Sequence, residues 1–487
     1  MLGIQKPSNN MNTDEFKKYA QELTKWISNY YENIRSYPVK SKAEPREIFN
    51  QLPSEIPLEG EPFENILEDF ENIILKGITH WQHPRFFAYF PANTSFPSIL
   101  GEYLTSALGI QAMMWLTSPS ATELEEKVVH WLRDAMGISK EFTGIIQDTA
   151  STSTLVAILT AREKASNFEI NENGFGKQHR YTIYCSKEAH SSIEKAVKIA
   201  GIGRNNLRKI DVDENFAMSV PKLEKAITDD LTNGFTPICI VGALGTTGST
   251  AVDPLKEIGE IAKKYNIWYH IDGAMVGSAL LLPEFQYLTK GINYADSFVF
   301  NPHKWLFTNF DCSIYFVKNP ELLKDTFSIT PSYLRTDFDE IVNNYRDWGI
   351  QLGRRFRALK LWFVLRYFGL REIQAKLRKH LEFAKKLKEQ ILSDSRFEVL
   401  APVNFTTICF RFSNSKLNEQ ELDQINKKLL EEINASGFAF LSHTTLNGKF
   451  VLRFSIGQTN TEWDDVLQTW HFIQKQANKL ENYEAKK

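Results

Sequence analysis

Between about residues 96 and 370 the chain alternates short, almost wholly apolar runs with amphipathic segments of helical period, and this alternation leaves few folds open. The runs lie at 143–147, 181–185, 237–244, 267–271, 297–300 and 312–317, and helical patterns at 151–164, 191–200 and 254–265 fall between them. A strand that is apolar on both sides must be covered on both faces, and helices placed between successive strands supply that cover. The pattern therefore predicts an α/β architecture around a largely parallel sheet. At 487 residues the chain exceeds one core of ordinary size, so two or three structural units are expected. An N-terminal helix is predicted over 13–34, with Phe16, Ala20, Leu23, Ile27, Tyr30 and Ile34 on one face and Trp26 beside them. A Pro-rich, polar connecting arm follows to about residue 60, and 61–80 is again helical in pattern. After residue 370 the reading is a long basic amphipathic helix (about 371–393), mixed strands and a last helix from Thr461.

Charge and composition remove several classes of function. A formal net charge of −2 without a dense Lys/Arg block offers no field for nucleic acid or anionic lipid. No segment reaches the roughly 18 consecutive apolar residues of a bilayer span, and the first residues do not pattern as a leader, so a soluble, cytoplasmic protein is expected. Cys185, Cys239, Cys312 and Cys409 are widely spaced, which predicts reduced, buried thiols and neither a disulfide framework nor a metal site.

In open parallel sheets ligands bind beyond the carboxyl ends of the strands. The ends of the predicted strands carry a coherent set of polar groups. One leads through Asp148 and Thr149 into Ala150-Ser151 and a helix; another leads to Ala189-His190. A third leads to Gly245-Thr246-Thr247, a fourth to Asp272, and a fifth to Asn301-Pro302-His303-Lys304. Pyridoxal phosphate (PLP) needs a lysine for its Schiff base and a carboxylate that keeps its pyridine nitrogen protonated. Its phosphate suits small and hydroxyl residues at a helix N-terminus, where free N–H groups and the helix dipole favour an anion. Lys304, Asp272, Thr149 and Ser151 fit these three needs. Taken singly each has a plainer reading: a turn aspartate, an N-cap, a surface lysine. The Gly201-Ile202-Gly203 run follows a helix, which fits a C-cap better than a dinucleotide loop.

The run Asn301-Pro302-His303-Lys304-Trp305 with Asn309-Phe310-Asp311-Cys312-Ser313 resembles the cofactor-lysine motif of the group II PLP-dependent decarboxylases, in their aromatic-L-amino-acid branch. The likeness extends through His80-Trp81-Gln82-His83-Pro84, Phe87-Ala88-Tyr89-Phe90-Pro91, residues 148–157, Ala189-His190-Ser191-Ser192, 244–247, 270–278, Asp347-Trp348 and 352–366, and spans about residues 13–475. It implies PLP fold type I, with a mostly parallel seven-stranded sheet in a large domain (96–370). A small C-terminal α+β domain (371–487) and an N-terminal helical arm (1–95) packing on the partner of a homodimer complete the implied chain, with active sites at the interface. It further implies that Lys304 carries the cofactor, Asp272 pairs with the pyridine nitrogen and His190 stacks on the ring. Ala150, Ser151, Asn301 and His303 match phosphate positions, with Thr149 close by, and Thr247 and Ala274 match positions lining the ring. Tyr333 matches a catalytic tyrosine on a loop that closes over the site and returns a proton after CO₂ leaves.

The implied reaction is decarboxylation of Trp, Tyr, DOPA, 5-hydroxy-Trp or Phe to the amine. Related aldehyde synthases often replace the tyrosine with Phe or alter the histidine region, so Tyr333 and His190 together favour simple decarboxylation. A PLP-binding paralogue without turnover is the alternative from another class, and a transaminase lacks its carboxylate-clamping arginine pattern here. In the implied substrate pocket Tyr89 and Phe90 match the family. Ala92 replaces a threonine of the animal relatives, and Gln111 and Met113 replace an isoleucine and a phenylalanine. Gly353 stands at a position that differs between indole- and phenol-directed plant relatives.

Overall fold

The computed structural model describes residues 11–329 and 341–484. Seven strands form the main sheet: β1 (Thr143–Gln147), β2 (Tyr181–Ser186), β3 (Leu207–Ile210), β4 (Thr236–Ala243), β5 (Trp268–Asp272), β6 (Ser297–Phe300) and β7 (Ser313–Val317). Their order is β1-β7-β6-β5-β4-β2-β3. The neighbours β6, β5, β4, β2 and β3 pair in parallel, whereas β7 runs antiparallel to both β6 and β1. The α/β, mostly parallel architecture is the one expected from the apolar runs, and its seven strands are the number the family resemblance implied. The reversed β7 has a local cause: residues 301–312 fold straight back from β6 without a crossover helix, and that returning segment carries Lys304.

Alternate side chains of each strand feed two cores. On one face the rings of Phe298, Phe300 and Phe316 are nearly parallel, with centroids 6.0–6.2 Å apart, among Tyr269, Ile271 and Ile314. On the other face Val299, Tyr315, Val317, Cys185 and Val241 pack beneath the helix Ala150–Ser166. Each buried Phe contributes about 1.5–3 kcal/mol relative to exposure, which makes the central strands the firmest part of the sheet. The edge strand β3, missing from the sequence reading, buries only its first and last residues fully, so its four residues show no apolar run.

The chain divides into two compact units. In one, the chain up to Phe86 joins Lys427–Leu441 and the chain from Asn460. Its first helix, Thr13–Glu32, opens with a capping box at Asn12, and none of its residues is fully buried. Phe16 is 51% exposed, and Trp26 meets Phe70 edge-on at 5.2 Å. The expected helix at 61–80 is α-helical over Phe63–Asp69, continues as a π turn and ends in a 3₁₀ turn at Gly77.

The other unit holds Phe87–Asn426 and Ser442–Thr459 and contains both sheets. Its second sheet is antiparallel, in the order β10-β11-β9-β8: β8 (Phe397–Val399), β9 (Thr407–Phe412), β10 (Ser442–Leu446) and β11 (Lys449–Ser455). The helix Arg357–Ser393 contains the expected basic stretch, about 371–393, as its second part. Gly369 breaks it with φ +67°, a conformation open to glycine at little cost.

Candidate active site

Five strand ends and their loops surround one cavity of about 190 Å³. All ten residues expected at the cofactor line it: Thr149, Ala150, Ser151, His190, Thr247, Asp272, Ala274, Asn301, His303 and Lys304, with Phe90 beside them. Each arrives from local geometry. β1 ends at Gln147 and Thr149 caps the next helix, its Oγ1 accepting from the Thr152 N–H at 3.4 Å. The N–H groups that follow, those of Ala150 and Ser151, have no intrahelical acceptor and open the helix towards an anion. Asp272 closes β5, and its Oδ1 accepts from the Ala274 N–H at 3.0 Å. Gly245 turns the chain after β4 with φ +93°, where a Cβ would overlap the Val276 side chain.

The segment carrying Lys304 is anchored along its backbone. The Lys304 N–H donates to Asn301 O (2.9 Å), and its carbonyl accepts from Asn93 Nδ2 (2.6 Å). Asn301 Oδ1 accepts from Ser313 Oγ (2.7 Å). The amine itself stands 5.3 Å from the centre of the Phe90 ring. Burial pushes the Lys304 pKa down; the Asp272 carboxylate opposes that shift and Arg453 adds to it. The neutral amine is the nucleophilic form, so this shift suits attack on a carbonyl.

Both histidines hold defined tautomers. His303 Nδ1 accepts from the Cys312 N–H (2.9 Å), and burial drives its pKa down to about 3, so the ring is neutral and its proton sits on Nε2. His190 Nδ1 accepts from the Ser192 N–H (3.2 Å) and meets Ser192 Oγ at 2.8 Å; burial lowers its pKa too. Each neutral ring therefore offers one N–H donor.

The residues expected around the substrate divide. Phe90 lines the cavity, while Tyr89, Ala92, Gln111, Met113 and Gly353 are not among its lining residues. Gln111 and Gly353 are neighbours: a Cβ at Gly353 would lie 3.4 Å from Gln111 Oε1. Tyr333 falls outside the described residues. The sequence reading missed Phe310, 58% exposed at the cavity wall and 4.7 Å from the His303 ring. It also missed the buried Arg453, whose one sequence signal is a charge inside the apolar run Phe450–Phe454.

Residues 45–413 match the pyridoxal-dependent decarboxylase conserved domain. The chain belongs to that family. Along its length it is similar to tyrosine decarboxylase 4 of Petroselinum crispum, 39% identical over 98% of this chain and 96% of that protein. A phenylacetaldehyde synthase of a Rosa hybrid cultivar is 39% identical over 96% and 95% of the two chains. Among solved structures, Catharanthus roseus tryptophan decarboxylase in complex with L-tryptophan superposes with a TM-score of 0.91 at 36% identity, covering 97% of this chain and all of that one. The fold of this decarboxylase is accordingly PLP fold type I.

The cavity of this PLP-dependent carboxy-lyase suits its cofactor on chemical grounds. It offers an amine of lowered pKa, a strand-end carboxylate and a helix start whose Ala150 and Ser151 N–H groups are flanked by the Ser151 and Thr149 hydroxyls and the His303 Nε2–H. Among the described residues no His, Cys, Asp and Glu group is arranged to hold a metal ion. No described helix is long and apolar enough to cross a membrane.

Proposed function

We propose that this chain decarboxylates an aromatic L-amino acid (Trp, Tyr, DOPA, 5-hydroxy-Trp or Phe) to the corresponding amine and CO₂, as a cytoplasmic homodimer. The observation that carries the reading is the meeting of Lys304, Asp272, His190 and a helix start in one cavity. It does so in a chain similar along its whole length to enzymes named for tyrosine and tryptophan decarboxylation. Bound PLP would supply the electron sink that accepts the bonding pair as CO₂ departs. Lys304 would hold the cofactor and release it to the substrate amine, and Asp272 would keep the pyridine proton in place. Ala150, Ser151, Thr149, Asn301 and His303 would hold the phosphate; His190, Thr247 and Ala274 would bound the ring. Tyr333 would deliver a proton to Cα and close the site against water.

The homodimer reading is supported by apolar side chains left exposed: Phe16 and Leu23 of the helix Thr13–Glu32, at 51% and 36%, and the stripe Leu100, Tyr103, Leu104 and Leu108, at 44–59%. We assign both to a second copy, with residues 1–95 as the arm, 96–370 as the cofactor domain and 371–487 as the small domain. Gln111, Met113 and Gly353 do not line the cavity of their own chain, and we assign them to a substrate wall completed at the interface with the second copy. Tyr89 and Ala92 are assigned to the same substrate wall as Phe90. Gln111 Oε1 is engaged by the Arg354 N–H (3.2 Å), which leaves its amide N–H groups to donate. A phenolic oxygen accepts such a bond and an indole N–H does not, so ring-hydroxylated substrates are favoured.

Similarity to a phenylacetaldehyde synthase keeps oxidative conversion to the aldehyde as a second reading. The PLP-loaded protein incubated with Trp, 5-hydroxy-Trp, Tyr, DOPA, Phe, His and Glu, with products identified by mass spectrometry, separates these readings. Aromatic amines are expected. Aldehyde with ammonia and peroxide would replace the decarboxylase reading by the synthase, and absence of any product would favour a paralogue without turnover.

A further inference from the structure

Arg453 sits in β11, in an otherwise apolar stretch, and is 3% exposed. Strand register places it directly opposite Ser442 on β10 and Cys409 on β9. Its three hydrogen-bond acceptors are all neutral. Nε donates to Gly248 O (2.8 Å), and Nη1 donates to Ser442 Oγ (2.8 Å) and to Tyr89 O (3.3 Å). Nη2 is buried and has no hydrogen-bond partner among the described residues. A buried guanidinium facing neutral acceptors is costly, and a leucine or methionine would fill the position without that penalty. Its presence therefore calls for a task that an apolar side chain cannot perform.

The acceptors show what that task is. Gly248 follows the Gly245–Thr247 segment, which lines one side of the cavity, and Tyr89 precedes Phe90, which lines another. Tyr89 has φ +52°, a left-handed conformation that is unfavourable for a side chain bearing a Cβ. Two contacts hold it there: its N–H donates to Ser442 Oγ (3.0 Å), and its carbonyl accepts from Arg453. The Phe90 ring so placed stands 5.3 Å from both the Lys304 amine and the Arg453 guanidinium carbon.

We propose that Arg453 is a positioning residue, which with Ser442 ties the Tyr89–Phe90 wall of the cavity to its Gly245–Thr247 wall and thereby sets the space around the Lys304 amine. Arg453 acts through its neighbours and touches no reacting atom. A single ammonium cannot span these separated acceptors in place of the planar fork, so Arg453→Lys keeps the charge and breaks the tie. The inference rests on the cavity being the site of the reaction proposed above.

The test compares the PLP-loaded wild type with Arg453→Lys and Ser442→Ala by hydrogen exchange and steady-state kinetics. In Arg453→Lys, amide exchange in peptides covering 87–92 and 245–251 should accelerate about tenfold or more, the factor that loss of a charge-assisted bond implies. Exchange in β4, β5 and β6 should stay unchanged. With the best aromatic substrate kcat should fall about 10–100-fold, while KM changes by less than about threefold. Ser442→Ala should show the same split at smaller size, and combining the two should give less than the product of the single effects. Unchanged exchange in both segments, acceleration spread over the whole sheet, or unaltered kcat would each overturn the proposal. An inactive wild type would instead refute the proposed reaction, and the exchange comparison would still decide whether Arg453 ties the two walls.

Discussion

Asn93 is the buried hinge on which the Lys304 backbone hangs, and its removal has a consequence that can be sized. The side chain is 1% exposed and fully engaged. Nδ2 donates to Lys304 O (2.6 Å) and Gly457 O (2.7 Å), while Oδ1 accepts from the Thr459 N–H and Oγ1, both at 2.9 Å. Asn93→Ala deletes these four bonds and leaves buried partners unsatisfied. At about 1 kcal/mol net per bond the loss is about 3–5 kcal/mol. Asn93→Asp is the sharper perturbation: it keeps the shape but turns a carboxylate oxygen towards two carbonyls, so it should cost at least as much. A chain of 487 residues has an unfolding entropy of about 1 kcal/mol/K, so Tm should fall by about 3–5 °C. The assay is thermal unfolding of the PLP-loaded protein at fixed protein and cofactor concentration, because a bound ligand shifts Tm by mass action. Both variants should also release PLP faster than wild type. Tm values within about 1 °C of wild type, or an aspartate variant as stable as wild type, would refute the anchoring argument.

Three further outcomes are expected. Gln111→Leu removes the free amide donors and should lower kcat/KM for Tyr and DOPA by about 3–10-fold, the size of one neutral hydrogen bond, with little effect on Phe or Trp; equal losses on all four would remove Gln111 from the substrate wall. His270, His303 and His380 are buried with pKa values pushed down to about 4, 3 and 3. The unfolded chain takes up these protons first, so stability is full above pH 6.5 and is lost as pH falls through 6.5 towards 3–4, by up to about 1.4 kcal/mol per group per pH unit; a Tm that is flat from pH 7 to 5 would contradict this. Tyr333→Phe should cut amine production and raise aldehyde, ammonia and peroxide, measured on the same samples, and unchanged amine output would take Tyr333 out of the proton step.

The strand cores were readable because burial on both faces demands uninterrupted apolar residues. The runs at 143–147 and 297–300 coincide with β1 and β6, and the other four shift by a residue at one or both ends. β3 escaped because its middle residues, Arg208 and Lys209, are charged and not buried, and the reversal of β7 depends on how 301–312 turns rather than on any pattern within the strand. The residues that line the cavity were legible for a related reason, since polar groups at the ends of apolar strands have few structural uses. Asn93 and Arg453 were not, because their partners lie far along the chain. Asn93 reaches Lys304 across 211 positions, and Arg453 reaches Gly248 across 205. No local spacing encodes such a contact. Gln111, Met113 and Gly353 match the family by position, yet the cavity of one chain does not reach them.

Reduction of the PLP-loaded protein with borohydride, followed by peptide mass spectrometry, shows whether the cavity at the five strand ends holds PLP through Lys304. One phosphopyridoxyl group per chain is expected, on Lys304, and none in Lys304→Ala. Label on another lysine, or an unlabelled Lys304 in protein that retains PLP, would contradict it.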